Sequence, residues 1–122
     1  MATRDDIRAR LEAAGQLKER EVVLPLLGDS PIIVREFTAA QAAAFAQAIS
    51  GVDDKTPEGQ MKVAAELLVR CLHDQDGQRI WDDDEAAVIL NLPLDAFNRL
   101  APVAAQVTGV TEVADLEEAG ND

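Results

Sequence analysis

The acidic segment 74–85 carries enough side-chain oxygens to raise the question of calcium binding. An EF-hand loop places oxygen ligands at positions 1, 3, 5 and 12, glycine at position 6 and an apolar residue at position 8. With Gly77 at position 6, Asp74, Asp76 and Asp83 fall at ligand positions 3, 5 and 12. However, Leu72 occupies position 1 and Arg79 occupies position 8. The segment is therefore interpreted as a tight turn followed by a helix N-cap at Asp82, and we expect no metal site.

Catalytic chemistry would have to involve Cys71 or His73, the single cysteine and the single histidine. They lie two positions apart on a predicted helix, so their side chains point in different directions and cannot form a dyad. Cys71 falls on the apolar stripe and is expected in the core, whereas His73 is expected in the last helical turn, where the dipole favours its charge. A pair of His73 with Asp74 would need a concave pocket. The sequence also lacks a glycine-rich phosphate loop and a nucleophile elbow, so we predict no enzymatic activity and no cofactor.

The composition excludes several further classes of protein. The chain has 122 residues, with 11 Lys and Arg against 23 Asp and Glu, and a formal net charge of -12. This length suits one domain, and a single cysteine excludes a disulfide framework. The strong negative charge repels phosphate groups, so we expect no binding to nucleic acid or to an anionic membrane. No apolar stretch approaches the roughly 18 to 20 residues of a membrane span, which predicts a soluble, intracellular protein.

The charge is unevenly distributed along the chain. Residues 1–37 carry 7 acidic and 6 basic residues, whereas residues 38–122 carry 16 acidic and 5 basic residues. An even acidic surface would indicate solubility alone. This asymmetry instead suggests that one end of the molecule faces a partner, or faces nothing.

The elements that position these residues follow from caps, turns and periodicity. Two extended runs joined by a turn at 28–30 predict a β-hairpin over about 19–37, in which Pro25 marks an edge or the end of a strand. Thr38 caps an alanine-rich helix, and Pro57 opens the most strongly amphipathic helix. Pro102 predicts a kink or a break in the last helix. The predicted helices cover about 3–14, 38–50, 57–73, 82–91 and 94–108.

The fold class that follows is α+β and mainly α-helical, with an N-terminal β-hairpin packed against a bundle of four to five helices. Residues 1–110 are expected to form a single globular domain. Residues 111–122 form an acidic tail without a base, which we expect to be flexible.

The order of these segments carries more information than any single residue. A helix that opens MATRDDI precedes a hairpin that ends VREFTAAQ, and the main helix runs into CLHDQDGQRIWDDDE. The most telling stretches are 34–38 (VREFT), 71–77 (CLHDQDG) and 100–112 (LAPVAAQVTGVTE). Together they resemble the tail assembly chaperones of long-tailed bacteriophages and prophages, over nearly the whole chain.

This resemblance implies a function without catalysis. Such proteins are made in the host bacterial cytoplasm, are absent from the finished virion, hold the long helical tape measure protein and help tail tube subunits polymerise around it. Many also exist in a longer form made by a programmed ribosomal frameshift. The family offers no catalytic residues that could be assigned to positions in this sequence.

Partner-binding residues are expected where large apolar side chains stand among small or acidic ones. On this ground we predict Phe45, Ile49 and Trp81 as contacts, although for Trp81 by itself the favoured interpretation is a core anchor beneath its turn. The alanine-rich helix offers a surface that another backbone can approach closely. The edge strand of the hairpin is a second candidate surface, for self-association.

Two other classes stay open. An acidic inhibitor that mimics DNA would explain the charge asymmetry, but the acidic residues cluster at caps and in the tail rather than at regular helical spacing. A structural tail or head–tail connector protein would share the phage setting and would be found in purified virions.

Overall fold

The computed structural model describes residues 2–13, 18–28 and 30–110. In chain order it contains α1 (Arg4–Ala13), β1 (Glu19–Val23), β2 (Pro31–Arg35), α2 (Ala39–Ala48), α3 (Pro57–Cys71), β3 (Leu72–His73), α4 (Ala86–Ile89) and α5 (Leu94–Thr108). Two short 3₁₀ turns, Pro25–Leu27 and Asp83–Glu85, precede β2 and α4. The predicted fold class, α+β and mainly helical with an N-terminal hairpin, is confirmed.

The strands form one antiparallel sheet in the order β1-β2-β3. β1 pairs with β2 in the register Glu19 to Arg35, so the predicted hairpin is present. β1 ends at Val23, before Pro25, because proline has no amide hydrogen to donate to the ladder. Pro25 instead opens the 3₁₀ turn.

The third strand was not predicted and corrects the boundary of the main helix. The helix expected over 57–73 ends at Cys71, and the next two residues pair with β2, Leu72 opposite Val34 and His73 opposite Ile33. Leu72 adopts an extended conformation at the helix terminus. The free edge of β2 supplies the hydrogen bonds that two more helical residues would otherwise make.

The short helices also differ from the predicted bounds. The helix expected over 82–91 is a 3₁₀ turn followed by the single turn of α4, which ends at Ile89. Pro93 disfavours helical geometry in the residue before it, so the chain turns at Leu92 before α5 begins. Of the two outcomes predicted for Pro102, a kink or a break, the break does not occur, because α5 runs from Leu94 to Thr108 through Pro102.

The core lies between α3, α5 and one face of the sheet. Its fully buried large side chains come from β2, β3 and the four helices α2 to α5: Val34, Phe45, Leu68, Val69, Cys71, Leu72, Ile89 and Leu100. At about 1.5–3 kcal/mol for each large apolar side chain, this burial is the main stabilising contribution. The predicted core position of Cys71 is thus confirmed.

One helix lies apart from this core. Every side chain that the structure describes between Ala2 and Glu12 is exposed. Thr3 nevertheless caps α1, because its hydroxyl accepts from the Asp6 amide at 3.2 Å. The predicted end of this helix at about residue 14, the turn residue Asp29 and the predicted tail 111–122 lie outside the described residues.

Candidate functional site

An apolar groove at the tip of the hairpin is the candidate site, and we call it the tip groove. It encloses about 120 Å³ between the hairpin, the segment after β3 and the start of α5. Its lining is entirely apolar: Leu24, Leu26, Leu27, Ile32, Leu72, Trp81, Leu92, Pro93, Ala96 and Leu100. This volume is well below the roughly 300–1,000 Å³ of small-molecule sites.

The 3₁₀ turn builds the outer wall of the groove. Leu24 is buried beneath it, and the Leu27 amide donates to the Leu24 carbonyl at 2.9 Å. This tight turn projects the next two leucines outward, so Leu26 is 59% exposed and Leu27 is 42% exposed. Two adjacent exposed leucines on a turn form an apolar contact surface without a partner in the described chain.

The segment after β3 positions Trp81 in the opposite wall. The Asp74 carboxylate caps the turn by accepting from the Asp76 and Gln78 amides, each at 2.9 Å. The chain then returns along β3, where the Ile80 amide donates to the Leu72 carbonyl at 3.2 Å. The interpretation of this segment as a turn is confirmed. Trp81 emerges from it half-buried against the core.

An ion-pair network fixes the return of this segment to the domain. Arg79 donates to the Val69 carbonyl at 2.8 Å and pairs with Asp83 at 2.6 Å. Arg70, almost fully buried, pairs with Glu66 at 2.7 Å and lies 3.6 Å from Asp83. Because two guanidinium groups share the Asp83 carboxylate, the start of α4 is held to α3.

The structure separates the three predicted contacts. Trp81 lines the tip groove, whereas Ile49 lies half-buried at the end of α2. Phe45 is 0% exposed and packs against Phe37 with ring centroids 5.3 Å apart. The prediction of Phe45 as a contact is therefore corrected. As the largest side chain among alanines, it is the anchor that docks α2 on the core.

Sequence reasoning missed the leucines of the hairpin turn. Leu26 and Leu27 follow Pro25, in a segment taken as the end of a strand. Their signal was present, because two leucines directly before the Gly28 turn have no strand partner once proline has ended the ladder. Leu92, between α4 and α5, also lines the groove and was not predicted.

His73 does not form the acid–base pair considered from the sequence. It is buried in β3, and its Nδ1–H donates to the Cys71 carbonyl at 2.9 Å. Burial is the main cause that lowers the His73 pKa, and the nearby Arg35 and Arg79 also lower it, against the opposing effect of that hydrogen bond. An open polar cavity of about 450 Å³ nearby is lined by Asp74 but not by His73. His73 is therefore neutral and structural at pH 7, and the prediction that it lies in the last turn of a helix is wrong, because the helix ends at Cys71.

The acidic residues before α4 are accounted for by helix initiation. The Asp82 amide donates to the Glu85 carboxylate at 2.9 Å, as predicted from the capping pattern. The carboxylates of Asp82, Asp84 and Glu85 lie within 4.8 Å of one another. All three cluster at the N-terminus of a helical turn, where the dipole favours negative charge.

Comparison with known proteins identifies the architecture. The chain is similar in structure to the tail assembly chaperone of bacteriophage HK97, with a TM-score of 0.62 and 16% sequence identity. The match covers 82% of this chain and 96% of that chain. No protein-family model and no curated protein sequence matches this chain. The predicted resemblance to tail assembly chaperones is thus confirmed at the level of the fold.

The helices were also compared with the requirements of a membrane span. Among the residues that the structure describes, no helix is both long enough and apolar enough to cross a bilayer.

Proposed function

We propose that this chain is a tail assembly chaperone of a long-tailed phage or prophage. In this role it holds the tape measure protein in the host cytoplasm, assists polymerisation of the tail tube and does not remain in the virion. The observation that carries the proposal is the shared fold with the HK97 tail assembly chaperone, which extends over 96% of that chain. The sequence pattern over 34–38, 71–77 and 100–112 supports it independently.

The tip groove is the proposed docking point for the tape measure protein. A long helical partner presents apolar side chains at helical spacing, and each copy of the chaperone could accept one of them beside Trp81 and Leu27. Burying one such side chain contributes about 1.5–3 kcal/mol. A single contact of this size is weak, so many copies would hold the partner together while each remains easy to displace by tube subunits.

The acidity of the chain fits the same role. A net charge of -12 keeps many copies soluble when they are crowded along one partner. It also disfavours nonspecific adhesion between neighbouring chaperones.

The DNA-mimic alternative has less support. A mimic needs free carboxylates in a regular row, but several of those described are engaged within the molecule. Glu19 pairs with Arg35 at 2.9 Å, Glu66 pairs with Arg70, and Asp95 pairs with Arg99 at 2.9 Å. The Asp74 carboxylate is likewise occupied by backbone amides. The structural tail or connector alternative differs from the chaperone role in one testable respect: a connector protein would be present in purified virions.

The test is co-purification from the native locus. An affinity tag is placed at the N-terminus, the downstream sequence is left intact, and chains that co-purify under mild conditions are identified by mass spectrometry. The proposal predicts a long helical protein in the complex and absence of this chain from purified virions. Recovery of the bait with a host DNA-binding protein would support the mimic, and its presence in virions would support the connector.

A further inference from the structure

A second groove lies between α2, α3 and α4, and we call it the alanine groove. It is open to solvent and encloses about 320 Å³. Its apolar lining comes from the end of α2, the loop that follows, α3, α4 and the residue after α4: Ala48, Val52, Ala65, Ala86, Ala87 and Leu90. None of these residues lines the tip groove, so the two grooves are separate.

Small side chains make the alanine groove suited to a helix. Ala65 is almost fully buried, whereas Leu90 is exposed and stands at the border of the groove. Met61, one helical turn before Ala65, is also exposed and extends the apolar surface along α3. Alanine at a contact lets two helices pack near the short end of their usual axial separation of about 8–10 Å. The groove therefore fits the apolar stripe of an amphipathic helix.

Negative charge surrounds this apolar lining. Within two positions of a lining residue, the sequence has five acidic residues and one basic residue: Asp53, Asp54, Glu66, Asp84, Glu85 and Lys62. Two residues of chain span at most about 7 Å, which is less than the Debye length of about 8 Å at physiological ionic strength. These charges therefore act on a side chain that enters the groove.

Most of this negative charge is not neutralised within the molecule. Glu66 pairs with Arg70 at 2.7 Å, but the other four carboxylates form no ion pair in the part of the chain that the structure describes. Two of them follow Val52 and two precede Ala86, so they border the groove on two different walls. A helix lying between these walls would be attracted most strongly if basic residues flanked its apolar stripe on both sides.

We propose that the alanine groove binds an amphipathic helix of a partner protein, whose apolar stripe faces the alanines and is bordered by Lys or Arg. A second copy of this chain lacks that chemistry, because its fully exposed helix α1 has three acidic and three basic residues and its net charge is -12. Binding here does not depend on the chaperone role, since no residue lines both grooves.

The test uses a fluorescein-labelled peptide of leucine and lysine and follows its fluorescence anisotropy as the full-length protein is added. The peptide has about 14 residues, roughly four helical turns, with leucine at i, i+3, i+4 and i+7 and lysine elsewhere. A control peptide has glutamate in place of every lysine. We expect the lysine peptide to bind at least about tenfold more tightly. Equal affinity of the two peptides, or no binding of the lysine peptide, would overturn the proposal.

A substitution in the lining tests whether the peptide occupies the groove. Ala87→Trp places a bulky side chain among the alanines and should weaken binding of the lysine peptide about tenfold. The matched control Ala43→Trp changes an exposed alanine of α2 outside the lining and should leave the affinity unchanged. Wild-type affinity of Ala87→Trp would contradict docking in the groove.

A pair of double variants separates the local charge from the overall acidity. Asp54→Asn/Asp84→Asn should weaken binding about threefold to tenfold. Glu21→Gln/Asp76→Asn removes the same charge from the polar cavity near β1 and should have no effect. Equal weakening by both would show nonspecific attraction and overturn the proposal. Dissociation of a wild-type oligomer by Ala87→Trp in sedimentation would overturn it in favour of a second copy.

Discussion

His73 and Arg70 are polar side chains kept inside the core, and each is retained by a specific contact. The His73 ring donates to the Cys71 carbonyl, and Arg70 pairs with Glu66 and lies beside Asp83. An unpaired polar group at these depths would cost about 1–3 kcal/mol. Arg70 also links α3 to the 3₁₀ turn that follows Trp81, through its contact with Asp83.

The burial of His73 predicts a pH-dependent stability. Its pKa in the folded state is lowered mainly by burial, while its unfolded value is about 6.5. The unfolded state therefore binds more protons in this range, so His73 favours folding above pH 6.5 and that contribution is lost as the pH falls. Urea unfolding at pH 7.5 and 5.5 should show a larger loss of stability for the wild type than for His73→Asn. An equal change in both proteins would contradict the prediction. Because the chain has a single histidine, no other imidazole contributes to the difference between the two proteins.

Cys71 is predicted to be chemically inert in the native protein. Burial raises the pKa of its thiol to about 12, so very little thiolate forms at pH 8. Ellman's reagent should leave the native thiol unmodified and react fully in urea. Modification of the native protein at the rate of a free thiol would show that Cys71 is accessible.

At the scale of elements, the first turn of α3 requires glycine at position 59. The Gly59 amide donates to the Thr56 hydroxyl at 3.0 Å, and a Cβ at Gly59 would overlap the Asp53 carbonyl oxygen. The loop before α3 therefore lies directly against the first helical turn, which only glycine permits.

Gly59→Ala should destabilise the fold although alanine is the better helix former by about 1 kcal/mol. The overlap with the backbone of Asp53 should outweigh that gain, with a net loss of about 1–3 kcal/mol measured by urea unfolding. Gly51→Ala is the matched control, because a Cβ there meets nothing within 4 Å and should change stability by less than about 0.5 kcal/mol. Equal stability of the two variants would contradict this account.

Elements with local signals could be predicted from the sequence. The Thr38–Gln41 capping box, the Pro25 strand end and the Pro57 helix start are all present where the residues indicate them. β3 could not be predicted, because its two residues become a strand only when β2 is beside them. The boundary between helix and strand at Leu72 is therefore a tertiary effect.

The distinction between local sequence signals and tertiary packing also applies to the candidate site. Trp81 was proposed as a contact because it is a lone tryptophan beside an acidic run. It lines the tip groove, partly buried against the core, and its role as a contact stays a prediction. Phe45 was assigned the wrong role because periodicity does not show which face of an alanine-rich helix is buried. Leu26 and Leu27 are exposed by the geometry of one turn. That geometry depends on the packing of Leu24 beneath the turn.

At the scale of the whole molecule, a strongly acidic chain has an apolar groove, the tip groove, at the tip of its hairpin. The tip groove has no polar lining, while the chain has a net charge of -12. In the proposed role, this surface would accept an apolar side chain from a partner, and the negative charge elsewhere would repel other copies. This combination is what the proposed chaperone role requires.

The most direct measurement compares Leu27→Glu with Leu90→Glu in co-purification from the native locus. Leu27 lines the tip groove and Leu90 lies outside it, yet they are 42% and 39% exposed and receive the same substitution. Loss of the burial of Leu27, about 1.5–3 kcal/mol, should reduce recovery of the tape measure protein about 10- to 100-fold. Leu90→Glu should retain wild-type recovery. Undiminished recovery with Leu27→Glu would contradict docking at the tip groove, and absence of the tape measure protein from the wild-type complex would contradict the chaperone role.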